Sequence, residues 1–147
     1  MTDLKLIALD AEDLGILSAQ VQDALVRVGD IGFIESDQRF VLVMNRFDWT
    51  TDFKKGSGQR RRTGLHFDRV TDVKTDGIDM NAREGVLEFL SISYRSSGGP
   101  EGEVDLIFAG GGTIRLTVEC IEARLRDLGA VWAAKARPKH ALEEDGC

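Results

Sequence analysis

The chain has 147 residues, with 19 basic and 25 acidic side chains and a formal net charge of −6 at pH 7. This length is typical of one compact domain that folds without disulfides or metals. The segment Lys54–Arg62 holds five of the bases and no acid, so the remainder carries 14 bases (19 − 5) against 25 acids. Such an acidic body repels polyanions, which excludes general DNA binding from the expected functions.

The cysteine content and the hydropathy of the sequence indicate in which cellular compartment the protein is expected. The two cysteines, Cys120 and Cys147, cannot form a disulfide framework or a paired metal site. The start of the chain lacks the basic segment and long apolar stretch of a signal peptide. No run approaches the roughly 18 apolar residues that span a bilayer. We therefore expect a cytoplasmic protein without a transmembrane segment.

The first predicted elements are a strand and a helix. The apolar run Leu4–Leu9 predicts the strand, and Asp10 then offers an N-cap in front of acidic residues that favour a helix start. One apolar face follows at spacings of three, four and four: Leu14, Leu17, Val21 and Leu25. We expect this helix to end near Ala24.

The middle of the chain predicts strands. Leu25–Ile34 alternates around Gly29, where a bulge is expected, and Arg39–Phe47 is rich in β-branched and aromatic residues. The polar stretch Asp48–Arg62 predicts a mobile loop. Gly64–Thr75 then resumes as a strand, with Leu65 and Phe67 on one face and His66 and Asp68 on the other.

The last third predicts a strand, a hairpin and a helix. Val86–Arg95 is the strand, and Glu103–Glu119 is a hairpin turning at the three glycines Gly110–Gly112. These glycines lead into a strand and lack the lysine of a phosphate loop, so we interpret them as a turn. Apolar residues at spacings of four, three and four then predict a closing helix: Ile121, Leu125, Leu128 and Trp132.

Together these elements predict an α+β domain over residues 1–137 and a flexible tail over 138–147. We expect a curved, mostly antiparallel sheet or partly open barrel of about seven strands, with the early helix and a closing C-terminal helix. This order of elements resembles the pleckstrin-homology-like architecture.

Few residues suggest catalysis. His66 and Asp68 could act as a general-base pair or as part of a metal site, but no third group accompanies them, and an outward polar strand face is the favoured interpretation. Cys120 is either a thiol activated at a helix start or, as we favour, a packed side chain. We expect no catalytic residue, no cofactor and no metal.

The basic segment is the strongest candidate site. Lys54, Lys55, Arg60, Arg61 and Arg62 could hold an anionic ligand, because guanidinium groups bind phosphate in a bidentate manner. Pleckstrin-homology domains bind phosphoinositides through a lysine followed by an R-x-R pattern, and Lys55, Arg60 and Arg62 resemble that pattern. The alternative is a solvated loop whose like charges discourage edge-to-edge association.

Several phrases together resemble one family: "LKLIALDAEDL", "VQDALVRVGDI", "RFVLVMNRFDW", "RRRTGLHFDRV" and "FAGGGTIRLTVECIEARLRDLG". They are similar to a mainly alphaproteobacterial family known as a domain of unknown function, over roughly Leu4 to His140. The resemblance implies a bacterial, cytoplasmic, single-domain protein and transfers no catalytic residue, cofactor or substrate.

We therefore expect a non-catalytic binding or regulatory module that binds another, unidentified protein. The alternative is a binder of a phosphate ligand (nucleotide, RNA or anionic lipid) through residues 54–62. A third hypothesis is an enzyme that uses His66 and Asp68.

Overall fold

The computed structural model describes residues 4–47 and 60–130, which contain one α-helix and nine strands. The helix is α1 (Ala11–Val21). The strands are β1 (Lys5–Ala8), β2 (Leu25–Ile34), β3 (Arg39–Phe47), β4 (Arg60–Phe67), β5 (Val70–Asp76), β6 (Val86–Gly98), β7 (Glu101–Phe108), β8 (Thr113–Val118) and β9 (Ala123–Ala130). No helix in these residues is both long and apolar enough to cross a bilayer.

The early helix is confirmed. The Asp10 carboxylate accepts a hydrogen bond from the Asp13 backbone N–H at 2.8 Å, which satisfies one of the free donors of the first turn. Leu14, Leu17 and Val21 are buried, as their spacing predicts. The helix ends at Val21, before the expected end near Ala24, and the chain then enters β2.

All nine strands belong to one antiparallel sheet with the order β1-β9-β4-β3-β2-β6-β7-β8-β5. Strand β6 joins its two halves, because Val86–Glu88 pair with β2 and the rest of the strand pairs with β7. The inward side chains of both halves meet in one core, where the rings of Phe89 and Phe108 lie 4.7 Å apart.

Several strand predictions are confirmed. The bounds of β2 and β3 agree with the predicted Leu25–Ile34 and Arg39–Phe47, and the pairing of β2 with β3 shifts register between Val26 and Ile31, around Gly29. The predicted hairpin is β7 and β8. Gly110 and Gly111 have φ angles of 87° and 97° at its tip, which glycine adopts without strain.

The expected fold class is wrong in three respects. Residues 4–47 and 60–130 are mostly β, they contain nine strands and not about seven, and strand β9 lies where the closing helix was expected. The extra strands are β9 and a second one from the predicted Gly64–Thr75, which breaks after Phe67 where Arg69 has a φ of 63°. This order of elements differs from the expected pleckstrin-homology-like arrangement. The domain bounds 1–137 and 138–147 stay a prediction, and the tail lies outside the described residues.

The prediction of a closing helix is wrong because the apolar residues of this segment fit both a helical and a strand repeat. Ile121, Leu125 and Leu128 fit helical spacing, but the buried residues are Ile121, Ala123 and Leu125, which have the period of two of a strand. Strand β9 fills the space between β1 and β4 and pairs with both. Trp132, the last member of the predicted helix face, lies outside the described residues.

A buried ion pair ties the first half of the sheet together. The Arg46 guanidinium on β3 donates to both carboxylate oxygens of Asp127 on β9, with its shortest contact at 2.9 Å, and the two residues are 5% and 4% exposed. Asp127 also accepts from the Thr63 hydroxyl at 2.8 Å and from the Leu4 backbone N–H at 2.9 Å. These donors satisfy the carboxylate, as a buried charge requires.

Removing the Asp127 charge should destabilise the fold strongly. In Asp127→Ala the Arg46 guanidinium stays buried without its counter-charge, which costs about 3–5 kcal/mol of unfolding free energy. Urea unfolding measures this loss. The control is Asp105→Ala, which breaks a pair with Arg115 on the surface of β7 and β8 and should cost far less. Equal losses in the two variants would contradict the role of the buried pair.

Candidate functional site

The structure describes three of the five residues of the predicted basic site. Lys54 and Lys55 lie outside the described residues. The sequence placed Arg60, Arg61 and Arg62 in a loop, but they are the first three residues of β4 and pair with Phe47, Arg46 and Asn45 on β3. Since successive strand residues point to opposite faces, Arg61 is buried whereas Arg60 and Arg62 are partly exposed on the other face.

Arg60 is held against the protein surface. Its Nη1 donates to the backbone carbonyls of Asp23 and Asn45, both at 3.2 Å. Its guanidinium carbon lies 5.2 Å from the centroid of the Phe47 ring, a cation–π distance. These contacts join the start of β4 to the turn between α1 and β2.

The structure places a groove elsewhere, on the outer face of β1, β9, β4 and β3. We call it the outer groove, and its volume is about 470 Å³. The inward residues of these strands, such as Leu42, Leu65 and Leu125, are buried in the core, so the alternate residues face outward. Two cross-strand rows line the groove: Ile7–Arg124–His66–Val41 and Lys5–Arg126–Gly64–Val43.

Gly64 lies in the middle of the second row and creates the depression. A Cβ atom built at this position would lie 3.5 Å from the nearest atom of Leu128, an ordinary van der Waals contact. Packing therefore does not require glycine here. Its consequence is open space between the side chains of Arg126 and Val43.

The charges at the groove fall into two groups. The Arg124 guanidinium is paired with Asp68 and Glu122, each at 3.3 Å. Lys5 and Arg126 face each other across β1 and β9, and neither forms an ion pair within residues 4–47 and 60–130. Two like charges directly opposite each other on adjacent strands are destabilising, so this pair favours an anion nearby.

His66 and Asp68 lie close together but form no hydrogen bond with each other. The distance from His66 Nε2 to Asp68 Oδ2 is 3.6 Å, too long for a hydrogen bond. The carboxylate instead accepts from Arg39 Nε at 2.7 Å and from Arg124 Nη1 at 3.3 Å. Burial lowers the pKa of His66 below its usual value of 6.5, and the two arginines also lower it, whereas Asp68 acts in the opposite direction.

A second groove of about 300 Å³ adjoins the first at Val43. Arg62, Arg27 and Val86 line it, and Arg27 is paired with Asp30 at 3.2 Å. The outer face of the first half of the sheet thus carries a continuous concave surface from β1 to β6.

The structure gives little support to a reactive thiol or to a metal site. Cys120 is a free, half-buried thiol that precedes a strand and not a helix, which removes the helix-start argument for its activation. In the part of the chain that the structure describes, no group of three His, Cys, Asp or Glu side chains could hold a metal ion.

Sequence reasoning missed the outer groove, although one signal was present. Phe40–Met44 is apolar at every position, whereas a strand with one solvated face alternates apolar and polar residues. An uninterrupted run therefore indicates that both faces of β3 avoid water. The partners on β1 and β9 could not be found in this way, because their pairing depends on the tertiary fold.

His66 should make stability depend on pH. Its pKa is lower in the folded than in the unfolded chain, so the unfolded chain takes up the proton first as the pH falls below 6.5. The contribution is therefore fully present above pH 6.5 and is lost as the pH falls through the folded pKa. Urea unfolding at about pH 7.5 and about pH 5.5 should show a larger loss for the wild type than for His66→Gln. Identical losses would contradict the assignment.

No curated protein matches the chain, and no solved structure matches it. A family model matches residues 4–140, which confirms the resemblance to a domain of unknown function. The chain therefore belongs to the family described as "Protein of unknown function (DUF2948)".

Proposed function

We propose that the protein is a non-catalytic binding module of the bacterial cytoplasm, and that it binds a segment of another protein in the outer groove. The observation that supports this most is a mostly apolar groove with a basic rim, Lys5 and Arg126, that has no ion-pair partner among the described residues, on a chain of net charge −6. Ligand sites in proteins are mostly apolar and concave and carry a few placed polar groups.

The apolar floor favours a partner that brings aliphatic or aromatic side chains. Ile7 is 57% exposed, and Val41 and Val43 face the groove from β3 although a solvated strand face normally carries polar residues. A concave surface with a mostly apolar lining is typical of binding sites. Its burial by a partner would add hydrophobic stabilisation to the complex.

The basic rim favours a partner with carboxylates. The Lys5 and Arg126 charges lie on neighbouring strands, so an acid placed between them interacts with both. Complementary charge across an interface sets the partner and its orientation and speeds association. The chain as a whole has a net charge of −6, so an acidic partner is favoured at basic patches such as this rim.

Filling the groove should abolish binding without unfolding the protein. Gly64→Val places two methyl groups in the depression, and valine is a better strand residue than glycine, so the stability should not fall. We expect capture of the partner from a native lysate to drop by about tenfold or more when apolar contact is lost. The matched control is Ser93→Val on β6, which lies outside the groove lining and should capture as the wild type does. Unchanged capture by a folded Gly64→Val protein would refute the proposal.

A phosphate-bearing ligand (nucleotide, RNA or anionic lipid) is the second candidate. It is favoured by Arg60 and Arg62, which share a strand face about 7 Å apart, the repeat distance of two strand residues. The loop residues Lys54 and Lys55 belong to this candidate by sequence alone.

The second candidate has its own test. Arg62→Gln should weaken binding of ATP, a short single-stranded RNA or phosphatidylserine vesicles, and wild-type binding should fall steeply with salt. Arg61 is left unchanged because it is buried. The control Arg95→Gln on the other half of the sheet makes the same charge change and should bind normally. Affinity that does not depend on salt would exclude this candidate.

A further inference from the structure

We propose that β1 accepts an extended segment of the partner as a tenth strand, with an acidic residue opposite Lys5 and an apolar residue opposite Ile7. The inference deepens the proposed function and rests on it, because these two residues form the β1 wall of the outer groove.

Strand β1 has an open edge. It is the first strand in the sheet order, and within residues 4–47 and 60–130 it pairs only with β9. An unpaired edge presents backbone N–H and C=O groups that can pair with another chain. Binding by addition of a strand uses these groups for affinity and alternate side chains for specificity.

The register of the β1–β9 pair shows which backbone groups of β1 can bond to an added strand. The Asp127 N–H donates to the Leu4 carbonyl at 2.9 Å, so Leu4 directs its backbone toward β9. In an antiparallel pair the residues that do so alternate, so Leu6 also faces β9. Lys5 and Ile7 therefore direct their N–H and C=O groups to the open edge. Their side chains belong to the closer kind of cross-strand pair, about 4.5 Å between Cα atoms.

These side chains define the chemistry of the added strand. Partner residues opposite Lys5 and Ile7 would point to the same face of the sheet. An acid opposite Lys5 pairs with this cation and thereby weakens its repulsion of Arg126 on the other side. An apolar residue beside Ile7 covers a side chain that is otherwise 57% exposed.

The opposite edge of the sheet provides a contrast. Strand β5 ends the sheet order at the other side, and it exposes charges of both signs, Asp72, Lys74 and Asp76. Such residues protect an edge against pairing. The β1 edge is short and carries one charge, Lys5, beside the exposed side chain of Ile7, so it favours an added strand with a complementary acid and an apolar residue.

A synthetic heptapeptide tests the inference on the full chain. The probe is the capped sequence Thr-Glu-Thr-Val-Thr-Glu-Thr, which places Glu opposite Lys5 and Val opposite Ile7 in either strand direction. Two control peptides are used: one replaces both Glu by Lys, and the other carries an N-methyl group on Val. Titration followed by amide NMR shifts should show binding at Lys5 and Ile7, and each control peptide should bind about tenfold more weakly.

A proline variant tests the backbone pairing from the side of the protein. Ile7→Pro removes an N–H that faces the open edge, so the β1–β9 ladder keeps its hydrogen bonds. We expect it to weaken probe binding by roughly fivefold to tenfold, the effect of a lost backbone hydrogen bond. Ile7→Val keeps the N–H and a similar side chain and should bind within about twofold of the wild type.

The outcomes separate this inference from the proposed function. Probe binding that Ile7→Pro and the N-methyl group leave unchanged overturns strand addition, as does a probe that does not bind the wild type. A second copy of the chain on this edge also overturns it, and would appear as a dimer in light scattering that Ile7→Pro dissociates. In each case the loss of partner capture in Gly64→Val still decides the proposed function independently.

Discussion

The buried pair of Arg46 and Asp127 is the interaction on which the candidate site depends. Asp127 lies where β1, β4 and β9 meet, and it receives hydrogen bonds from the backbone of Leu4, the hydroxyl of Thr63 and the guanidinium of Arg46. Strand β1 has only four residues and one strand neighbour in the described chain. The carboxylate therefore fixes the position of the strand that carries one wall of the outer groove, and a polar core contact supports an apolar surface on the other face.

The outer face and the core both follow from the alternation of side chains between the two faces of each strand. Leu42 and Leu65 point inward and form part of the core, and their neighbours on β3 and β4 point outward to line the groove. Gly64 interrupts the outward row without disturbing the inward one. The depression thus requires no change in the packing beneath it, which lets a ligand surface and a stable core occupy opposite faces of the same strands.

The parts of the fold that local patterns determine were predictable. Asp10 and the face that begins at Leu14 specify the helix, and the apolar run of β3 specifies a strand. The segment around Leu125 fits both periods, and only its neighbours β1 and β4 decide that it is a strand. The site was harder to predict. The charge cluster was visible in the sequence, but its described members Arg60–Arg62 are divided between two faces of β4. Lys5 and Arg126 meet only because the sheet brings distant segments together.

The pairing of β1 with β9 also determines which part of the sheet forms last. Strand β1 is the first of the sheet to be synthesised, and its partner β9 is the last in the described chain. Contacts of such long sequence separation form late, because the loop between them must be closed before they contribute. During synthesis β1 stays without its partner until β9 leaves the ribosome. The rest of the sheet can assemble earlier, so the β1 wall of the groove is completed last.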